Sequence, residues 1–317
     1  MNALYEIIEP LQGYLFETFI LSFMHSLGMT GWADEVYNAT GEVLLGLFFT
    51  LIIYVLLRPL EALFPVEQWD NRAVVRVDIL YTFLMRTGLL PLLFFLLLDP
   101  IFSGIQSHLH MASIFSVQPE ELMPWLQNQI LVSFIFYVII FDFFDYVRHR
   151  LQHRFTWWWG LHCIHHSQQQ LSLWSDERNH IFDSFIKVAW FTCLANVFGL
   201  PGGQFLAIVL FMKLVESFSH ANVKTDFGRI LSRVLVSPVY HRIHHGIGVG
   251  HEGKYYGCNF STLFPVWDII FRTANFSTST TMTGIRDQLD GVEYGKGFFD
   301  QQYIGFKKMF TSFSTIK

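Results

Sequence analysis

Apolar positions in this chain fall in long unbroken runs, with neither the period-two alternation of strands nor the heptads of a coiled coil. Residues 42–57 (EVLLGLFFTLIIYVLL) carry one charge, at Glu42, and with their flanks meet the roughly 20 residues that a bilayer core requires. Residues 78–102 form a second run, interrupted by Arg86 and expected to kink at Pro91. Residues 129–146 form a third, leaving through Arg148, Arg150 and Arg154. Two more runs, 181–200 and 204–219, are separated by Pro201, Gly202 and Gly203 and predict a helical hairpin that enters the membrane and returns. Residues 1–40 read as an interfacial or partly embedded helical segment. They lack the pattern of a cleaved signal peptide, because no basic stretch precedes the first apolar run and Glu6, Glu9 and Glu17 interrupt it. Beyond His245 the chain turns polar, with FSTSTT at 276–281 expected as a loop and residues 306–313 as a surface helix.

Composition sharpens this picture. Hydrophobic residues make up 52% of the 317, charged residues only 15%, and Phe alone contributes 34. With a mean hydropathy of +0.35, the chain expects lipid over much of its surface. The net charge of -5 has no basic or acidic tail behind it, so no nucleic-acid partner is indicated. Cys163, Cys193 and Cys258 form neither a CxxC pair nor a disulfide framework, and Cys163 reads as a small apolar residue on the back of a helix.

Arg and Lys are absent from residues 1–41 and 103–128, whereas 58–78 hold Arg58, Arg72 and Arg76. By the positive-inside rule the N-terminus lies outside, and the basic exit of the third run lies in the cytoplasm. Lys187 and Lys213 are expected to snorkel toward that same side.

That basic exit opens on an unusual density of imidazoles. His149, His153, His162, His165 and His166 fall within eighteen residues, and His241, His244 and His245 repeat the HxxHH spacing. Positions i, i+3 and i+4 share a helix face, so each box presents a ready set of ligands. With His180 and His220 between them, ten of the fourteen histidines lie from 149 to 245. Ten imidazoles exceed the needs of one ion, so two metals are expected, and a closed zinc site would stop at four ligands. Neutral ligands leave the metal charge uncompensated, which calls for nearby acids that orient the rings. Asp145 stands four residues before His149, Glu216 four before His220, and Asp142 a turn before Asp145. His251, in the glycine loop, is left outside the ligand set.

The ordered segments DYVRHRLQH, WGLHCIHHS, RNH, HAN, SPVYHRIHHG and YYGCNFSTLFPVWDIIFRT resemble the fatty acid hydroxylase and sterol desaturase superfamily of membrane di-iron oxygenases, over roughly residues 130–273. The resemblance implies two iron ions (Fe2+/Fe3+), O2 as co-substrate, and all ten histidines as ligand candidates. It also places Asn222, Trp267 and Asp268 on motif positions; Asn222 joins Asp145 and Glu216, the acids suggested by spacing, in the candidate catalytic set. One departure is that Ile-Phe-Asp follows His180 where the family commonly has Pro and an acid. The implied reaction is hydrogen abstraction from an unactivated C–H bond of a membrane lipid, giving an alcohol, or an alkene after a second abstraction.

GVGHEG at 248–253 spells GxGxxG, but it follows a histidine helix rather than a strand and reads as a flexible loop. LPGG at 200 is similar to the haem motif of cytochrome b5 without its histidine. Electrons are therefore expected from a separate reductase, ferredoxin or cytochrome b5. Trp157, Trp158 and Trp159 are expected to anchor the cytoplasmic interface. The resulting expectation is an all-α polytopic membrane protein with four or more transmembrane or re-entrant helices and a cytoplasmic histidine-rich cap. It divides into a membrane segment at 1–128, a fatty acid hydroxylase-like domain at 129–273 and a cytoplasmic tail at 274–317. The compartment is a bacterial inner membrane, or the endoplasmic reticulum in a eukaryote. A non-catalytic zinc-binding or metal-handling membrane protein is the rival reading; a zinc hydrolase is disfavoured because the boxes lack HExxH.

Overall fold

The computed structural model describes residues 2–69, 72–112, 116–253, 255–278 and 282–314. Among these there are helices and turns but no strand, apart from one isolated bridge between Gly246 and Thr283. In chain order the helices are α1 (Asn2–Leu15), α2 (Leu21–Ser26), α3 (Ala33–Leu63), α4 (Val75–Arg86), α5 (Leu89–Met111), α6 (Pro119–Leu122) and α7 (Ile130–Arg154). Then follow α8 (Thr156–His166), α9 (Ile181–Val197), α10 (Gly202–His220), α11 (Gly228–Leu231), α12 (Pro238–His244), α13 (Val266–Ile270) and α14 (Phe298–Ser314). Of the expected 276–281 loop, residues 276–278 are irregular and 279–281 lie outside the described residues.

Among the described residues, four segments are long and apolar enough to cross a membrane: Thr30–Leu63, Leu89–Met111, Ile130–Arg154 and Gly202–His220. Their outer faces leave large apolar side chains uncovered, such as Leu131 at 70% and Val55 at 60% exposure, a surface suited to hydrocarbon. The chain is thus all-α and multi-pass. With 17 residues, α9 is shorter than a full span; a short turn at Pro201 joins it to α10, and Lys187 of α9 meets Glu216 of α10 at 2.8 Å.

The second expected span is corrected at its start. The chain breaks at Thr87 and Gly88, where Gly88 takes φ 77°, and only α5 continues as a candidate span. Arg86 is consequently outside it, buried in ion pairs with Asp176 (2.7 Å) and Glu177 (3.3 Å). Pro91 makes no kink, because it sits in the first turn of α5, where its missing N–H has no helical acceptor to lose. Lys187 and Lys213 both pair with Glu216, at 2.8 and 3.1 Å, near the His220 end of α10, and Lys213 with Glu177 at 2.9 Å.

Below the spans, α8, α12 and the loops around them build the histidine cap. The C-terminal helix α14 docks on α8 rather than lying loose on the surface. Gly160 allows this close approach, since a Cβ there would meet the Met309 backbone nitrogen at 2.5 Å. Met309, Trp158 and Leu161 form the buried seam between the two helices.

Candidate metal centre

Local rules explain how the boxes are delivered. His149 and His153 occupy the last turns of α7, one turn apart. His162, His165 and His166 close α8. The third box sits on α12, started by Ser237, whose hydroxyl accepts the Tyr240 N–H (3.2 Å), and by Pro238 at the first helical position. His220 ends α10.

Nine of the ten expected ligands converge into two groups. His149, His153, His162, His166 and His244 form one, and His165, His220, His241 and His245 the other. Within each, the candidate ligand atoms lie within 4.8 Å of one another, and all nine residues are buried. Facing Nε2 atoms stand 3.1 Å apart for His153 and His166, 3.1 Å for His165 and His220, 3.0 Å for His220 and His241, and 3.2 Å for His241 and His245. Two nitrogens bound to one ion at about 2.0–2.1 Å would stand roughly 3.0–3.4 Å apart, so these edges have the span of a coordination shell.

The remaining ring nitrogens support the same fit. In the five-histidine group, Nδ1 of His149 bonds the Phe260 carbonyl (2.8 Å), His153 that of Tyr256 (3.1 Å), and His244 that of Cys258 (2.7 Å). His162 Nδ1 faces Asp183 Oδ2 at 3.1 Å. With Nδ1 occupied, Nε2 of His149, His162 and His244 is buried without a partner among the described residues. Neutral imidazoles with one nitrogen anchored and the other left bare toward a common centre suit a divalent ion. Each group is therefore capable of coordinating one.

Burial keeps the cap histidines neutral. Desolvation, reinforced by neighbouring imidazoles, lowers His165, His166, His241, His244 and His245 well below the ordinary value near 6.5. His162 is lowered by desolvation too, with Asp183 opposing the shift.

His180 is a correction. Its Nδ1 accepts the Phe182 N–H (3.1 Å) as the N-cap of α9, and its Nε2 bonds the Gln302 carbonyl (2.9 Å) on α14. Both nitrogens are committed to the fold, and the ring packs on Phe306 away from either group. His251 also stands outside the groups, stacked on Trp159.

The expected orienting acids are placed differently. Asp145 does not reach His149; it takes two bonds from Arg148 (2.8 and 2.6 Å) and one from Thr262 (2.6 Å). Glu216 holds His220 through its backbone carbonyl (2.7 Å), while its carboxylate binds the two lysines. Asn222 clasps the backbone of Glu67 through both side-chain atoms (3.1 and 2.7 Å), which ties the loop after α3 to the cap. Asp142 accepts Leu263 N, Phe264 N and Trp267 Nε1, and Asp268 accepts Phe260 N and Ser261 N.

Sequence reasoning missed Asp183 as the acid that meets a box histidine, although it stands three residues past His180. It missed Trp158 as well: this side chain is buried, not interfacial, and donates Nε1–H to Asp183 at 2.7 Å.

A small chamber of about 20 Å³ lies beside the groups, bordered by His149, His162, His165, His220 and His241. Lys187, Glu216, Asn179, Ser184 and Thr262 also border it, and the same five residues line one end of a second cavity of about 330 Å³. Phe191, Phe205, Leu206, Val209 and Met212 wall the apolar remainder of that larger space.

The fatty acid hydroxylase family model matches residues 134–273. The alkylglycerol monooxygenase of Caenorhabditis elegans is 30% identical over 141 residues, covering 44% of this chain and 26% of that protein. Ornithine lipid hydroxylase OlsE of Rhizobium tropici is 28% identical over 166 residues, covering 52% and 47%. Human alkylglycerol monooxygenase is 25% identical over 152 residues, covering 48% and 33%. The match thus spans less than half the length of each of these curated relatives. No solved structure matches the chain. Segment 134–273, which carries the converging histidine boxes, is thus the part of the chain that matches the fatty acid hydroxylase family.

Proposed function

We propose that this protein is a membrane di-iron oxygenase that hydroxylates, or desaturates, a C–H bond of a membrane lipid, with O2 as co-substrate and a separate protein as electron donor. One observation carries the reading: the apolar cavity between the spans shares its polar end with the chamber bordered by histidines of both groups. A lipid chain drawn from the bilayer would lie against Phe191, Val209 and Met212, with its reacting carbon brought to the imidazole-lined end. The relatives' names support an oxygenated lipid, since one refers to alkylglycerol and the other to ornithine lipid.

His149, His153, His162, His166 and His244 would hold one iron, and His165, His220, His241 and His245 the other. A ferrous pair supplies the reduction of O2 to a species able to abstract an unactivated hydrogen. The chain's own contribution is positional. Asp183 and the backbone carbonyls fix the rings, and burial excludes water and keeps the imidazoles unprotonated for binding. Lys187, Lys213, Glu216 and Glu177 form a charge-paired throat that disfavours a bare alkyl chain and accommodates a polar group of the lipid. The basic exit of α7 supports a cytoplasmic site.

The test is anaerobic iron loading of the full chain in nanodiscs, followed by O2 uptake and lipid mass analysis with a chemical reductant. A product heavier by one oxygen, or lighter by two hydrogens, is expected. Stoichiometric zinc with no O2 uptake on any lipid class would favour the metal-handling alternative.

A further inference from the structure

We infer that residues 256–260 act as a carbonyl rail that sets the metal affinity of the five-histidine group, with Asn259 and Asp268 as the positioning residues that hold the rail in register. The inference rests on the reading that both groups carry metal ions. It deepens that reading by assigning a role to a loop that carries no ligand.

Three alternate carbonyls, of Tyr256, Cys258 and Phe260, meet Nδ1 of His153, His244 and His149 at 3.1, 2.7 and 2.8 Å. Within five residues, one short segment therefore addresses three imidazoles that come from two different helices. The segment is not a regular strand. Tyr256 and Asn259 have φ of 62° and 58°, and Gly257 has φ of 138°. A Cβ at Gly257 would meet the Gly250 carbonyl at 2.2 Å, so the glycine loop presses directly on the rail.

Side chains hold this irregular path. Asn259, fully buried, donates to the Tyr240 and Asn275 carbonyls (both 2.9 Å) and accepts the Asn275 N–H (2.6 Å). Asp268, also fully buried, accepts Phe260 N and Ser261 N (both 2.9 Å). An imidazole whose Nδ1–H is donated to a fixed carbonyl has its tautomer and ring plane set, and Nε2 is left as the basic atom.

The four-histidine group has no equivalent. There, among the described residues, only His220 is anchored, through the Glu216 carbonyl of its own helix, and Nδ1 of His165, His241 and His245 has no partner. The rail therefore acts on one ion and not on the other.

The test follows transfer of two ferrous or cobaltous ions from the full chain in detergent to a chelator, with His153→Ala and His220→Ala assigning the two kinetic phases. Asn259→Ala should speed the phase absent from His153→Ala by about 10- to 100-fold and leave the other unchanged. Asp268→Asn should do the same, and it gives the comparison independently if Asn259→Ala does not fold. Tyr240→Phe, which removes only a hydroxyl from Asp268, should speed neither phase. Equal acceleration of both phases, or of neither, overturns the rail. A wild-type chain that loads no ion would instead overturn the metal reading under Proposed function.

Discussion

Asp183 and His162 meet through Oδ2 and Nδ1 at 3.1 Å, and the same carboxylate accepts Trp158 Nε1 (2.7 Å) and Gln152 Nε2 (2.7 and 2.9 Å). Its neighbours are all donors, so a side-chain amide in its place would turn an N–H toward one of them. Asp183→Asn should weaken metal binding by about 10- to 100-fold, as loss of a ligand's hydrogen-bond partner commonly does. Competition with a calibrated chelator measures this, and wild-type affinity in the variant would show that the carboxylate does not orient His162.

His180 and His220 should separate cleanly. His220→Ala is expected to lower the bound metal from two ions to one. His180→Ala should keep both ions but destabilise the fold by about 1–3 kcal/mol, because the Phe182 N–H and the Gln302 carbonyl lose their buried partner. Metal analysis beside thermal unfolding distinguishes them; loss of metal in His180→Ala would return that residue to the ligand set.

The apo cap should be acid-sensitive. Burial holds His165, His166, His241, His244 and His245 well below 6.5, whereas in the unfolded chain they titrate near that value. Between the two values the unfolded state binds more protons, so stability is complete above pH of about 6.5 and falls as the pH drops below it. Unfolding midpoints measured from pH 8 to pH 5 check the sign, and a midpoint that rises on acidification would contradict it.

Val188 lines the apolar cavity but not the small chamber beside the histidine groups. Val188→Trp should cut kcat/KM for a long-chain lipid by about 10-fold or more and spare metal content, because the added ring takes space a chain would occupy. Turnover on substrates graded by chain length reads this out. Equal rates at every length would place the lipid elsewhere.

What the sequence disclosed divides along a physical line. The HxxxH and HxxHH boxes were legible because their ligands share one helix face, a relation that spacing alone fixes. Asp145 was misread by the same logic: helical proximity put it near His149, but Arg148 takes the carboxylate, and the His149 anchor is the Phe260 carbonyl, 111 residues away. Backbone acceptors have no residue identity, so the rail left no trace in the letters. Arg86 looked like an interruption of a span because its partners, Asp176 and Glu177, lie some ninety residues on. His180 followed the family order of histidines, yet its local role as an N-cap decided its orientation.

The docking of α14 on α8 reaches further than packing. Cys163 stands inside the second box, fully buried with Ile164, Ile285 and Tyr294 and flanked by Ile304 of α14, and burial pushes its thiol up to about 12. A sulfur held protonated and dry is a poor nucleophile and a slow target for oxidants, although it shares a helix with candidate metal ligands. This helix thus doubles as chemical insulation, and a chain clipped before residue 298 should leave Cys163 open to added oxidants.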